Sequence, residues 1–91
     1  MKVGLEKPTR PVNLAGMVTV LRQHGIRFVI YTADHEPPHA HVVGDGEART
    51  HLETLTVITQ GNMSDRGVRR AVAAIEPNRQ LFLDTWRLYH G

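Results

Sequence analysis

Residues 35–39 read His35-Glu36-Pro37-Pro38-His39, a literal match to the H-E-x-x-H zinc-protease pattern. That pattern works only on a helix, which sets the two histidines one turn apart beside the glutamate that serves as base. Two adjacent prolines forbid the helix, because neither has an amide proton to donate and each pushes the preceding residue toward extended backbone. The stretch is therefore expected to be a rigid, extended connector, with His39-Ala40-His41 leaving it as a strand. The chemistry to account for is that of histidines alternating along a strand, not that of a helical protease.

What those histidines face depends on the turn at Gly44-Asp45-Gly46. A two-residue loop would pair Gly44 with Glu47 and mix polar and apolar residues on both faces. A three-residue loop with a left-handed Gly46 pairs Val43 with Glu47 instead. One face then carries Ala40, Val42, Ala48, Thr50 and Leu52. The other carries His39, His41, Val43, Glu47, Arg49, His51 and Glu53. A slip of one residue flips every side chain, so the cleaner segregation selects the second register. It makes His41 a direct cross-strand partner of Arg49, and His39 of His51. The expected site is thus an exposed sheet face of His39, His41, His51 and Arg49, with His35 and Glu36 at its rim.

Several readings compete for this face. Paired imidazoles can act as base and acid on RNA, with Arg49 stabilising an anionic phosphorane, and such a ribonuclease needs no metal or other cofactor. In that reading His39, His41 and Arg49 are catalytic, and His35, Glu36 and His51 support them. A divalent metal held by His39 and His41 with His51 or Glu36 is a minor alternative, opposed by the fixed charge of Arg49. A histidine-triad nucleotide hydrolase would want a third histidine where Val43 stands. The plain alternative is a solvated polar face whose histidines are structural. Arg66, Arg69 and Arg70 could bind nucleic acid, although a charge run on a helix is more often simply solvated. Phe82, Trp86 and Tyr89, at helical spacing, read as core.

The elements that must position these residues form one small domain of 91 residues. Residues 1–16, with two prolines and no sustained periodicity, read as a flexible N-terminal leader, and 17–91 as a single α+β domain. The net charge of +2 belongs to that leader, where Lys2, Lys7 and Arg10 face Glu6, while the eight arginines beyond it meet eight acids. Bulk charge therefore argues against nucleic acid, and only a local patch could bind it. With no cysteine, no apolar leader and no membrane-length apolar run, the expected setting is cytoplasmic. Strands are expected over Met17–Arg22, Ile26–Thr32, His39–Val43 and Glu47–Glu53, with Thr54–Ile58 extending the last or crossing irregularly. Ser64-Asp65 caps a helix whose apolar face is Val68, Ala71, Val72 and Ile75, and Pro77 breaks it before a second helix running through His90. The fold expected is a small antiparallel sheet of three or four strands followed by two C-terminal helices packed on one face.

The run from Met17 through Gly25-Ile26-Arg27-Phe28 and Tyr31 to Asp34-His35-Glu36-Pro37-Pro38-His39-Ala40-His41-Val42 resembles a small bacterial family, domain-of-unknown-function family 4160. Asn78, Arg79, Trp86 and Tyr89 are similar to that family's C-terminal pattern. The resemblance spans about residues 17–91, and Pro77 departs from it. It implies no assigned activity. It does imply a gene layout like that of toxin–antitoxin pairs, and hence an RNA-directed protein or one that docks a small partner protein encoded nearby.

Overall fold

A computed structural model describes residues 16–90 of the chain. The expected leader therefore lies outside the described residues, apart from Gly16. The chain forms five strands, β1 (Met17–Gln23), β2 (Ile26–Tyr31), β3 (His39–Val43), β4 (Glu47–His51) and β5 (Val57–Gln60). Two helices follow, α1 (Asp65–Ile75) and α2 (Arg79–His90). The strands make one antiparallel sheet in the order β1-β2-β3-β4-β5, so every neighbour in the sheet is also a neighbour in sequence. The α+β architecture, strands first and helices after, is as the sequence implies. Among the described residues, no helix is long and apolar enough to cross a membrane.

Local chemistry explains the joints. His24 and Gly25 both have positive φ, +57° and +73°, the backbone of a two-residue hairpin turn whose twist matches the strands it joins. Ser64 caps α1 by accepting from the Gly67 amide at 3.0 Å. Pro77 sits in a single 3-10 turn, Glu76–Asn78, that ends α1 and redirects the chain into α2. The apolar side of the sheet meets α1 and α2 in one core that includes Phe28, Ile30, Val42, Leu52, Ile75 and Phe82, each fully buried. Phe28 and Phe82 meet edge to face, with centroids 5.9 Å apart, which ties the middle of the sheet to α2.

Strand pairing follows the three-residue register, with Val43 opposite Glu47, His41 opposite Arg49 and His39 opposite His51. Ala40, Val42, Ala48, Thr50 and Leu52 are all buried on the core side. Gly46, however, is not left-handed, since the described glycines with positive φ are Gly16 and Gly25. The turn needs glycine there for a different reason. A Cβ on Gly46 would lie 2.4 Å from the Asn62 carbonyl carbon and oxygen. The Asn62 side chain meanwhile accepts the Glu47 amide at 3.0 Å, clamping the loop before α1 onto the β3–β4 turn.

The fifth strand is the main departure from expectation. Strand β4 ends at His51 rather than Glu53, the chain turns through residues 52–54, and Leu55 adopts φ +61°. Val57–Gln60 then returns beside β4 as an edge strand exposed at all four residues. Such a strand buries neither face, so its sequence carries no alternation to reveal it.

Gly46→Ala is expected to lower unfolding stability by roughly 2–3 kcal/mol through backbone overpacking, more than Gly25→Ala, whose added Cβ meets nothing within 4 Å and costs only the roughly 1–2 kcal/mol of a left-handed backbone. Urea unfolding of the two variants checks this, and an equal or larger loss at Gly25 would contradict the role given to Gly46.

Candidate metal centre

His39 and His41 lie two residues apart on β3 and so project from the same side of the sheet. That side is not the open face the sequence suggests. His39 is only 7% exposed, and the His41 side chain 12%. Two elements cover them. The segment after β2 turns at Thr32-Ala33 and bends again at Glu36-Pro37, where the peptide bond is cis, instead of running straight. It thereby brings Asp34 over both imidazoles. From the other end of the chain, Trp86 of α2 packs against the His39 ring with centroids 5.4 Å apart. Trp86 is itself stacked by His90 at 3.6 Å, and its indole N–H donates to Glu36 Oε2 at 3.1 Å. Tyr31, at the end of β2, presses edge-on against His41 at 4.4 Å.

The hydrogen bonds fix which nitrogen of each ring faces inward. His39 Nδ1 lies 2.8 Å from the Pro37 carbonyl, which can only accept, so Nδ1 carries the proton. His41 stands between two carboxylates, with Nδ1 3.2 Å from Glu47 Oε2 and Nε2 2.9 Å from Asp34 Oδ2, so either ring nitrogen can be the donor. Both Nε2 atoms then turn to one oxygen. Asp34 Oδ2 is 3.0 Å from His39 Nε2 and 2.9 Å from His41 Nε2. The first approach is close but misaligned, because His39 Nε2 is a buried nitrogen with no hydrogen-bond partner. Asp34, His39 and His41 thus present three donor atoms within 4.8 Å of one another.

The remaining sequence candidates have other surroundings. Arg49 stands opposite His41 but leans toward β5, donating from Nε to the Thr59 hydroxyl at 3.2 Å. His51 faces the turn that follows it, its Nδ1 accepting from the Glu53 amide at 3.1 Å and more weakly from Thr54 at 3.4 Å. It stabilises that turn and does not join the cluster. His35 is exposed and lines a cleft of about 350 Å³ together with Asp34, Glu36, His39 and Arg49. Arg66, Arg69 and Arg70 are exposed on α1, and Arg66 and Arg70 border a separate hollow with His24 and Asp45. Sequence reasoning missed Asp34 as a functional residue. The available signal was an acid just ahead of the Pro-Pro connector, but only the turn at residues 32–33 reveals its direction.

With that geometry in view, the chain can be set beside known proteins. Residues 25–87 match the family described as "Domain of unknown function (DUF4160)". The protein belongs to this family. No curated protein matches it, and no solved structure does. The matched span runs from the β1–β2 turn to within α2, so it contains Asp34, His39, His41, Glu47 and Trp86.

Glu36→Ala strips the Trp86 indole of its acceptor and is expected to cost about 1–2 kcal/mol. Glu36→Gln, which keeps an acceptor oxygen, should retain most of that stability in urea unfolding. Equal losses in the two variants would show that the indole contact is not what Glu36 supplies.

Proposed function

We propose that this domain binds a divalent first-row transition metal through Asp34 Oδ, His39 Nε2 and His41 Nε2, and that the site is of the open, reactive kind. The observation that carries this reading is His39 Nε2. In the neutral tautomer fixed by Pro37, it is a buried lone pair aimed 3.0 Å from a carboxylate oxygen. Two acceptors face each other there, and the arrangement calls for a cation between them. A proton on that nitrogen would be poorly aligned, whereas a metal could be held by it together with Asp34 Oδ2 and His41 Nε2. Ligands about 2.0–2.1 Å from a metal and at right angles to one another are separated by roughly 2.9 Å, against roughly 3.3 Å for tetrahedral angles. The observed 2.9 and 3.0 Å between Asp34 and the two rings suit such right-angled ligation, and two histidines with a carboxylate are a donor set for a first-row transition metal.

The surroundings support the same reading. Each ring's outer nitrogen is held by an acceptor, the Pro37 carbonyl for His39 and the Glu47 carboxylate for His41, which is how metal-binding imidazoles are oriented and made more basic. Three protein ligands leave coordination positions for water or substrate, the mark of a reactive rather than a purely structural site. The charge of Arg49 does not forbid it. A dication and a guanidinium ~8 Å apart repel by about 4 kcal/mol at an effective dielectric of ~20, against about 10–16 kcal/mol for binding of a structural zinc.

Metal-free acid–base cleavage of RNA by His39 and His41 is less well supported. In-line displacement wants base and acid on opposite sides of the phosphorus, and here both reactive nitrogens converge on one point. An RNA-directed role, with Arg66, Arg69 and Arg70 as contacts, rests on their exposure and on the gene layout implied by the family. Docking of a small partner protein rests on that layout alone.

Titrating the metal-free protein with cobalt(II) and following the visible absorption should show one site per chain. His39→Ala and His41→Ala should abolish it, Glu47→Ala should weaken it roughly 10- to 100-fold, and His51→Ala should leave it intact. Loss on replacing His51, or retention on replacing both His39 and His41, would overturn the assignment.

A further inference from the structure

Among the described residues, Arg49 is a fixed charge beside the triad that no protein anion matches. It pairs across the sheet with His41 and borders both clefts that flank the cluster, one shared with Asp34 and His39, the other with His41 and Glu47. Its side chain is held at a single point, Nε on the Thr59 hydroxyl. Among the described residues it forms no ion pair, and its two terminal nitrogens make no hydrogen bond. The acid nearest along the strand pairing, Glu47, already binds His41. An arginine anchored at Nε presents its two terminal N–H groups as a fork, the shape that takes a carboxylate or phosphate through two parallel hydrogen bonds. Beside it, the metal site has positions that no protein atom fills. A bound dication and the Arg49 guanidinium, bordering the same clefts, would form a receptor for an anion that bridges them.

Resting on the metal-site reading above, we propose that the natural ligand of this centre is a small molecule bearing an oxyanion, phosphate or carboxylate, with one oxygen on the metal and the others on the Arg49 fork. The exposed side chain of Arg49 can accept a ligand without repacking the core. Pro37 and Ile58, an exposed apolar residue of the edge strand, line the same cleft and can cover the less polar part of such a molecule. The clefts, about 350 and 500 Å³, are of a size that suits a small molecule.

The test uses the cobalt-loaded full chain with inorganic phosphate and, separately, acetate as probes. The visible spectrum reports an oxyanion arriving at the metal, and calorimetry gives the affinity. At least one probe should shift the spectrum, and whichever binds more tightly names the class. Arg49→Gln should weaken that binding at least tenfold while cobalt affinity is retained or rises, because the substitution removes a charge that repels the metal. Arg49→Lys, which keeps the charge and loses the fork, should fall between. Cobalt bound normally but with neither probe altering the spectrum, or with equal probe affinity in Arg49→Gln and the parent, overturns this proposal and spares the metal site. Failure of cobalt to bind overturns both.

Discussion

Two imidazoles turned toward a single carboxylate oxygen set the character of this domain. Asp34 Oδ2 lies within 3.0 Å of both His39 Nε2 and His41 Nε2. Holding one buried and one nearly buried ring there is costly unless their outer nitrogens find partners. The structure meets that demand from three directions. The Pro37 carbonyl fixes His39, Glu47 fixes His41, and Glu36 takes up the indole proton of the tryptophan that seals the cluster. The connector, the β3–β4 hairpin and α2 are thereby bound to one another through the site. It is built into the fold and is not a decoration on its surface.

The same constraint explains the otherwise unusual connector. A straight extended link between β2 and β3 would carry Asp34 away from the sheet. The turn at residues 32–33 and the bend at Glu36-Pro37 return it over β3 and leave the Pro37 carbonyl free to meet the His39 ring. The pair of prolines, which excludes the helical reading of His35–His39, is also what holds this path.

Much of the architecture was legible because polarity segregates cleanly on the β3–β4 hairpin. Alternation along residues 40–52 was enough to select the pairing of Val43 with Glu47, and with it the juxtaposition of His41 and Arg49. The capping serine and the break at Pro77 carried local signals of equal clarity. Other features depend on contacts that no periodicity encodes. Trp86 reaches a histidine 47 positions earlier in the chain, so the burial of His39 could not be read from the strand's own pattern. Asp34 acquires its role from a turn, and β5 is an exposed edge with nothing to alternate. Gly46 was legible as a turn glycine, but its reason, the close approach of Asn62, lies in the loop that follows β5.

Anomalous diffraction from zinc- or cobalt-loaded crystals, collected across the metal edge, decides whether these three side chains form a metal centre. The expected result is one peak about 2.0–2.2 Å from an Asp34 carboxylate oxygen and from Nε2 of both His39 and His41, with Nδ1 of each ring still on Pro37 and Glu47. A metal bound elsewhere, or through Nδ1 atoms, or an empty cluster in which Asp34 merely bridges two protonated rings, would contradict it.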